Sequence, residues 1–140
     1  MINILLSVRR PGSDLILDDK KHIEIRKNYP DVGVESDITL WIYESGKDGA
    51  CKIIGNCRYF GHGDVWGTTP ERAVAWVAIE AHLDKNYLAS LTPCYGWLIG
   101  DPVRLPNAVP LSDIGLTRPP QSWKYLTDEQ AAILERRASE

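Results

Sequence analysis

Residues 19–26 read DKKHIEIR, a charged turn followed by a stretch in which polar and apolar side chains alternate. Alternation with a period of two is typical of a β-strand that buries one of its faces. The pattern predicts that the two isoleucines are buried and that His22, Glu24 and Arg26 share the opposite face. That face is then either a solvated sheet edge or the wall of a polar pocket.

Four more stretches have the composition of β-strands. Residues 2–8 are apolar and β-rich, and they stop where a proline and a glycine break the strand. Residues 37–43 and 51–59 are joined by a turn-rich link of hairpin size, so we expect them to pair antiparallel. Residues 95–105 form a late strand that a Gly-Asp-Pro sequence interrupts.

Two or three helices are predicted around these strands. A short helix follows Ser13, which can cap it, and places residues 15–17 inward. A longer helix begins at residues 69–71 with a capping threonine and a proline in its first turn. A capping box at residues 127–130 begins a terminal helix at about 128–138. Together the elements predict an α+β domain built on a small mixed or antiparallel β-barrel.

The composition is that of one globular domain. A chain of 140 residues, 44% hydrophobic and 25% charged, is long enough for one hydrophobic core but not for two. We therefore predict a single domain over residues 1–140. No window approaches the roughly 18 uninterrupted apolar residues of a membrane span, and residues 2–8 are too short for a secretory signal. The expected location is cytoplasmic, with no membrane partner.

The distribution of charge favours a small positive site. The formal net charge is −3, but residues 1–30 carry six basic and four acidic side chains. A basic first third on an acidic body fits one small anion site better than a long face for duplex nucleic acid. The three cysteines have no CxxC spacing and the three histidines are scattered. We therefore expect free thiols, no metal site and no cofactor.

Several separate short motifs, in order along the chain, resemble the ASCH domain family. The first two correspond to the family's opening strand and to its G-x-K-x-x-E-x-R signature, in which Asp19 here replaces the usual glycine. The later ones resemble a strand that ends in a tyrosine and a small residue, a K-I-I-G strand, and a P-P-Q-S-[FW]-x-Y segment. The matching runs are residues 5–11, 16–27, 41–45, 52–55 and 119–125. The resemblance covers roughly residues 3–126.

This resemblance implies a PUA-like β-barrel with a cleft formed by the end of the first strand, the lysine-containing turn and the Glu/Arg strand. Members of the family bind RNA or DNA, and a few are enzymes. One group hydrolyses the acetyl amide of 4-acetylcytidine with a lysine, a nearby threonine and a glutamate, and another is described as a ribonuclease. Glu24 stands where the amidohydrolase group has its threonine, which counts against amide hydrolysis here.

Three residues of the signature are the leading candidates for chemistry. Lys21 matches the signature lysine and could hold a phosphate or act as a nucleophile; the alternative is a solvated lysine. Glu24 could accept hydrogen bonds from a base edge, and Arg26 could bind a phosphate with its planar fork. The alternatives are an ordinary ion pair for Glu24 and a structural salt bridge from Arg26 to Glu24 or Asp18.

Five further residues complete the candidate binding site. Ser7, Arg9 and Arg10 lie where the first strand opens into a turn, and we expect at least one of the arginines to point into the cleft. Tyr43 and Trp123 could stack on a base, although aromatic side chains more often belong to the core.

Three functions from different classes remain open. The first is a binding module for single-stranded RNA, other single-stranded nucleic acid or a modified nucleoside, in a basic cleft. The second is a hydrolase, either of the 4-acetylcytidine type or a ribonuclease, with Lys21 and Glu24 as the catalytic residues. The third is a protein-interaction or regulatory domain.

Overall fold

A computed structural model describes residues 1–33 and 36–140. The elements in chain order are β1 (Ile2–Arg9), α1 (Gly12–Leu17), β2 (Ile23–Arg26), β3 (Ile38–Ser45), β4 (Ile53–Val65), α2 (Glu71–Ala81), α3 (Lys85–Leu91), β5 (Cys94–Val109), a 3-10 helix (Leu111–Ile114), β6 (Trp123–Tyr125) and α4 (Asp128–Ala138).

The six strands of the described residues form one sheet in the order β2-β5-β4-β3-β1-β6. β1 and β3 are parallel, and every other neighbouring pair is antiparallel, including the predicted hairpin of β3 and β4. The sheet curls into a half-barrel, which confirms the expected α+β fold with a small mixed sheet. β2 and β6 are the two edge strands of this sheet.

Alternation along the strands produces two separate cores, one on each face of the sheet, and not the one hydrophobic core that the composition predicted. On β1, Leu5 lies on one face while its neighbours Ile4 and Leu6 lie on the other. The interior core contains Ile4, Leu6, Val8, Ile16, Leu17, Ile38, Leu40, Ile42, Cys57, Trp97 and Ile99. The outer core, which α4 covers, contains Leu5, Trp41, Tyr43, Ile53, Leu105, Val109, Leu111, Ile114, Leu126 and Leu134.

A third apolar cluster lies under α2 and α3, beside β2. It contains Val65, Val74, Ala78, Leu88 and Cys94, and Ile25 packs against it. Because Ile25 points to this outer side, Glu24 and Arg26 point to the interior of the half-barrel. His22 precedes β2, and its ring contacts Asp19 and Glu80. The expectation that His22 shares the face of Glu24 and Arg26 is therefore wrong.

The structure also corrects several local predictions. Ser13 does not cap α1, because its hydroxyl is buried and donates to Glu44 Oε2 at 2.7 Å. Thr69 does not cap α2, since its hydroxyl accepts from the backbone amide of Trp66 at 2.8 Å. The late strand is not interrupted: β5 continues through Asp101, which has φ of 49°.

One prediction at the chain's end and one omission complete the comparison. The capping box of α4 is present, with the Thr127 hydroxyl accepting from the Gln130 amide at 3.1 Å. α3 was not predicted, because Leu88 is its only buried residue in the described part and leaves little periodic signal. No helix among the described residues is long and apolar enough to cross a membrane.

Candidate functional site

Side chains that are far apart in the sequence join β2 and β6, the two edge strands of the half-barrel. Arg26, at the end of β2, donates from Nη1 to the Ser122 carbonyl oxygen at 3.3 Å and to Ser122 Oγ at 3.0 Å. Its Nη2 donates to the Ser7 carbonyl oxygen on β1 at 2.7 Å. We call this junction, formed by residues 24–28 and 120–123, the seam.

Indole groups hold the other end of the seam. Trp123 Nε1 on β6 donates to Asn28 Oδ1 at 2.8 Å, and Trp97 Nε1 on β5 donates to the Asn28 carbonyl oxygen at 2.9 Å. Ser7 donates from Oγ to the Pro120 carbonyl oxygen at 2.7 Å. Four parts of the chain that are distant in sequence, β1, β5, β6 and the segment after β2, therefore have a fixed geometry at this point.

A buried ion network lies at the seam. Glu24 Oε1 accepts from Lys21 Nζ at 2.8 Å. Glu24 Oε2 accepts from Arg26 Nε at 3.0 Å and from Nη2 at 2.5 Å. Lys21 and Glu24 are both buried. The structure thus brings together the three signature candidates, and it excludes the alternative of a solvated Lys21.

Arg26 has no donor left for a ligand. A guanidinium group carries five N–H donors, and the five hydrogen bonds to Glu24, Ser7 and Ser122 use all of them. Both oxygens of Glu24 are likewise occupied by its two cations. The expectation that Arg26 binds a phosphate and that Glu24 reads a base edge is therefore corrected, because the two residues bind each other and Arg26 links β2 to β1 and to Ser122 before β6.

The network keeps Glu24 ionised. Burial raises the pKa of this carboxyl, but the charges of Arg26 and Lys21 outweigh burial. The pKa of Glu24 is therefore below its ordinary value. Cys57 lies nearby in the interior core, where burial and the negative charge of Glu24 raise the pKa of its thiol to about 12. Glu24 is therefore not a proton donor near neutral pH, and Cys57 is not a thiolate there.

A groove opens along the seam. It has a volume of about 410 Å³ and is lined by residues 24–28 on one side and by Ser122 on the other. Tyr87 and Leu91 of α3, with Cys94 of β5, complete it. Lys27 is exposed here, and its Nζ donates to the Leu91 carbonyl oxygen at 2.7 Å.

Arg9 and Arg10 line a different pocket. This pocket has a volume of about 250 Å³ and lies between the end of β1 and the turn of residues 45–48. Arg10 Nε is 3.2 Å from Asp14 Oδ2, and Nη1 donates to the Asp48 carbonyl oxygen at 3.3 Å. The expectation that one of these arginines points into the same cleft as Arg26 is therefore wrong. We call this second region the turn pocket.

The two aromatic candidates have different surroundings. Tyr43 is only 6% exposed and packs in the outer core, so its ring has no free face for a base. The expected stacking role of Tyr43 is corrected by this burial. Trp123 is half-buried at the seam, and its ring meets Trp97 edge-on at a centroid distance of 5.5 Å.

Sequence reasoning missed several residues of the seam groove. Lys27 and Asn28 directly follow the signature strand, and Ser122 lies within the P-P-Q-S-W segment. Their positions within or next to the ASCH-like runs of residues 16–27 and 119–125 were the indication in the sequence that they belong to the site. Among residues 1–33 and 36–140, no group of three His, Cys, Asp or Glu side chains is close enough together to hold a metal ion.

The curled mixed sheet has the fold seen in solved structures of an ASCH protein. Crystal structures of the ASCH protein of Zymomonas mobilis and of a serine-to-alanine mutant superpose with TM-scores of 0.78 and 0.79, at 19% and 18% identity. Each alignment covers 96% of this chain and 94% of that chain. A tyrosine-to-phenylalanine mutant of the same protein superposes with a TM-score of 0.78 at 18% identity, and the alignment covers 96% of both chains. The ASCH resemblance of the sequence is thus confirmed in the fold.

Neither a protein-family model nor a curated protein sequence matches the chain.

Proposed function

We propose that the seam groove binds single-stranded RNA or a modified nucleotide. The observation that carries the proposal is the local charge. Arg26 and Lys27 line the groove with one carboxylate, Glu24, to which the buried Lys21 adds a further cation, in a chain whose formal net charge is −3. An excess of positive charge beside a groove attracts phosphate, and it attracts it more strongly where water is partly excluded.

Different residues have different roles in this proposal. Arg26 and Glu24 hold the two sheet edges in place and do not contact the ligand. Lys21 is buried and does not line the groove, so it adds positive charge beside Glu24 without contacting the ligand. Lys27 supplies a second, exposed cation. Ser122 Oγ accepts from Arg26 Nη1, so its hydroxyl hydrogen is directed to another acceptor.

The shape of the groove supports a ligand of nucleotide size. Its volume of about 410 Å³ lies within the range of about 300–1,000 Å³ that is usual for small-ligand sites. Tyr87 and Leu91 give the groove an apolar wall, and Lys27 and Ser122 give it polar groups. An apolar wall with a few polar groups suits a base and its phosphate.

The contact between Lys21 and Glu24 favours hydrolysis as a second candidate function. The two groups lie 2.8 Å apart at the seam, within the distance at which a catalytic pair exchanges a proton. To act as a nucleophile, Lys21 has to give up a proton and with it the ion pair. Glu24, which Arg26 holds as a carboxylate, does not supply a proton to a leaving group. Binding is therefore the better-supported function.

Fluorescence anisotropy with a labelled single-stranded RNA of about ten nucleotides tests the proposal. Lys27→Gln removes the exposed cation of the groove. Arg136→Gln is the matched control, because it removes one exposed positive charge from α4 on the other side of the sheet. We expect wild-type affinity to fall steeply between about 50 and about 200 mM salt, and we expect Lys27→Gln to bind more weakly with a shallower salt dependence.

Equal binding by Lys27→Gln, Arg136→Gln and wild type would contradict the groove as the site. The same samples, incubated with 4-acetylcytidine and with RNA and analysed by mass spectrometry, distinguish binding from hydrolysis. Turnover that is lost in Lys21→Met would favour the hydrolase. No RNA binding and no turnover by wild type would overturn both functions and leave the protein-interaction domain.

A further inference from the structure

Four aromatic rings form a cluster on the surface beside the seam. Tyr29 stacks on His62 with a centroid distance of 3.7 Å and an interplanar angle of 20°. Tyr95 meets Tyr29 edge-on at 4.8 Å, and Trp66 meets Tyr95 edge-on at 6.3 Å. We call these four residues the ring cluster. They come from three separate parts of the chain.

The ring cluster continues directly from the seam. Tyr95 on β5 lies opposite Arg26 on β2 in the antiparallel register, so their side chains share one face of the sheet. Asn28 lines the seam groove and is followed at once by Tyr29. A strand of nucleic acid that leaves the groove at Asn28 therefore meets the rings next.

Hydrogen bonds fix the cluster in position. The segment before Tyr29 is held at Asn28, which accepts the indole N–H groups of Trp97 and Trp123. Trp66 is held by a tight turn, in which its amide donates to Thr69 Oγ1 at 2.8 Å and its carbonyl accepts from the Thr69 amide at 3.1 Å. Rings that are ordered in advance bind at a lower cost in conformational entropy.

The rings also leave apolar surface in solvent. Trp66 is 46% exposed and Tyr29 is 37% exposed, and His62 is exposed beside them. Exposed aromatic rings next to a cationic groove are the usual platform for successive bases of a single strand, because every base has a face that can stack.

We propose that the ring cluster is a base-stacking platform for the single strand held by the seam groove; this inference rests on the proposed function. Asp64 on β4 lies opposite Tyr95 on the side away from Arg26. Its negative charge directs the phosphates to the side of Arg26 and Lys27. The strand therefore runs with its backbone along the cations and its bases over the rings.

Two tryptophan variants provide a matched test. Trp66→Ala removes a ring of the cluster that is 46% exposed, and Trp76→Ala removes a ring that is 55% exposed on α2 and lies outside the cluster. We expect Trp66→Ala to weaken binding of the single-stranded RNA about tenfold, because one stacked base is lost. We expect Trp76→Ala to bind like wild type. Circular dichroism checks that both variants remain folded.

An abasic oligonucleotide of the same length separates stacking from charge. It keeps the phosphates but has no bases, so we expect wild type and Trp66→Ala to bind it equally. Tyr29→Ala is the second variant and is expected to behave like Trp66→Ala. If both ring variants bind RNA like wild type while Lys27→Gln weakens binding, the platform is wrong and the proposed function stands. If wild type binds no RNA, both are wrong.

Discussion

Glu24 and Glu44 are both buried carboxylates, but the chain satisfies them in different ways. Glu24 at the seam is held by two cations, the buried Lys21 and the largely buried Arg26. Glu44 at the turn pocket is held by neutral donors, the Ser13 hydroxyl at 2.7 Å and the Ala50 amide at 2.9 Å. The nearest cation to it, Arg10, lies 4.0 Å away and has a side chain that is half exposed.

Charged side chains therefore have two different roles in this small domain. At the seam, burial makes each charge depend on its partners, so the network fixes the sheet edges and keeps a positive excess at one place. At the turn pocket, the arginines are solvated, and their ion pairs contribute little to folding. Substitutions at the seam should therefore change stability and binding together, and those at the turn pocket should leave stability nearly unchanged.

Removing the seam carboxylate should have the largest effect. Glu24→Gln leaves the charges of Lys21 and Arg26 buried without their partner, and we expect a loss of about 3–5 kcal/mol in the free energy of unfolding. Urea denaturation followed by circular dichroism measures it. Glu44→Gln is the matched variant, and we expect it to lose less, roughly 1–3 kcal/mol, because no buried cation is left alone. Equal losses in the two variants would contradict the comparison.

Removing a neutral donor from the second carboxylate should have a smaller effect. Ser13→Ala takes one hydrogen bond from Glu44, whose other oxygen keeps the Ala50 amide. We expect a loss of about 1–3 kcal/mol in the free energy of unfolding, because the charged acceptor stays buried. Thermal and urea unfolding both report it. No measurable change would show that water replaces the hydroxyl at this position.

Acid should weaken the seam through Glu24. The pKa of this carboxyl is lower in the folded protein than its ordinary value of 4.5, so the unfolded chain binds the proton more readily. The contribution to stability is complete above pH 4.5 and is lost as the pH falls through the lowered pKa of the folded state. Urea midpoints along a pH series should show this loss in wild type. Glu24→Gln should lack that part of the pH dependence.

The smallest change in stability is expected at the turn pocket. Arg10→Gln removes a solvated cation that pairs with Asp14, and the expected loss is below about 1 kcal/mol. Its RNA affinity should stay close to that of wild type at about 0.15 M salt, because the ligand lies in the seam groove. A tenfold loss of affinity would instead place the ligand in the turn pocket.

Local patterns were sufficient to predict much of the framework. The alternation of residues 22–26 predicted β2, and the capping box predicted α4, because in both cases the signal lies within a few adjacent residues. The same alternation predicted that Glu24 and Arg26 share a face. It could not decide which face of the sheet curls inward, and the curl is what buries them.

Other features depend on contacts that no short window contains. Arg26 contacts Ser7 and Ser122 only when the edges of the sheet come together in the fold. The sequence therefore could not predict that all five of its donors are used. Tyr43 lies in a strand that is apolar on both faces, since β3 has a core on each side. Its pattern therefore gave no indication of which of the two cores holds the ring. Trp66 joins Tyr29 only through the register of β4 and β5.

An NMR titration of the ¹⁵N-labelled protein with single-stranded RNA tests the central claim most directly, because it locates the ligand. The account predicts the largest shifts in the amides of Lys27, Asn28 and Ser122 and in the indole N–H signal of Trp123. Shifts confined to Arg9, Arg10 and the turn of residues 45–48, or to α4, would contradict it.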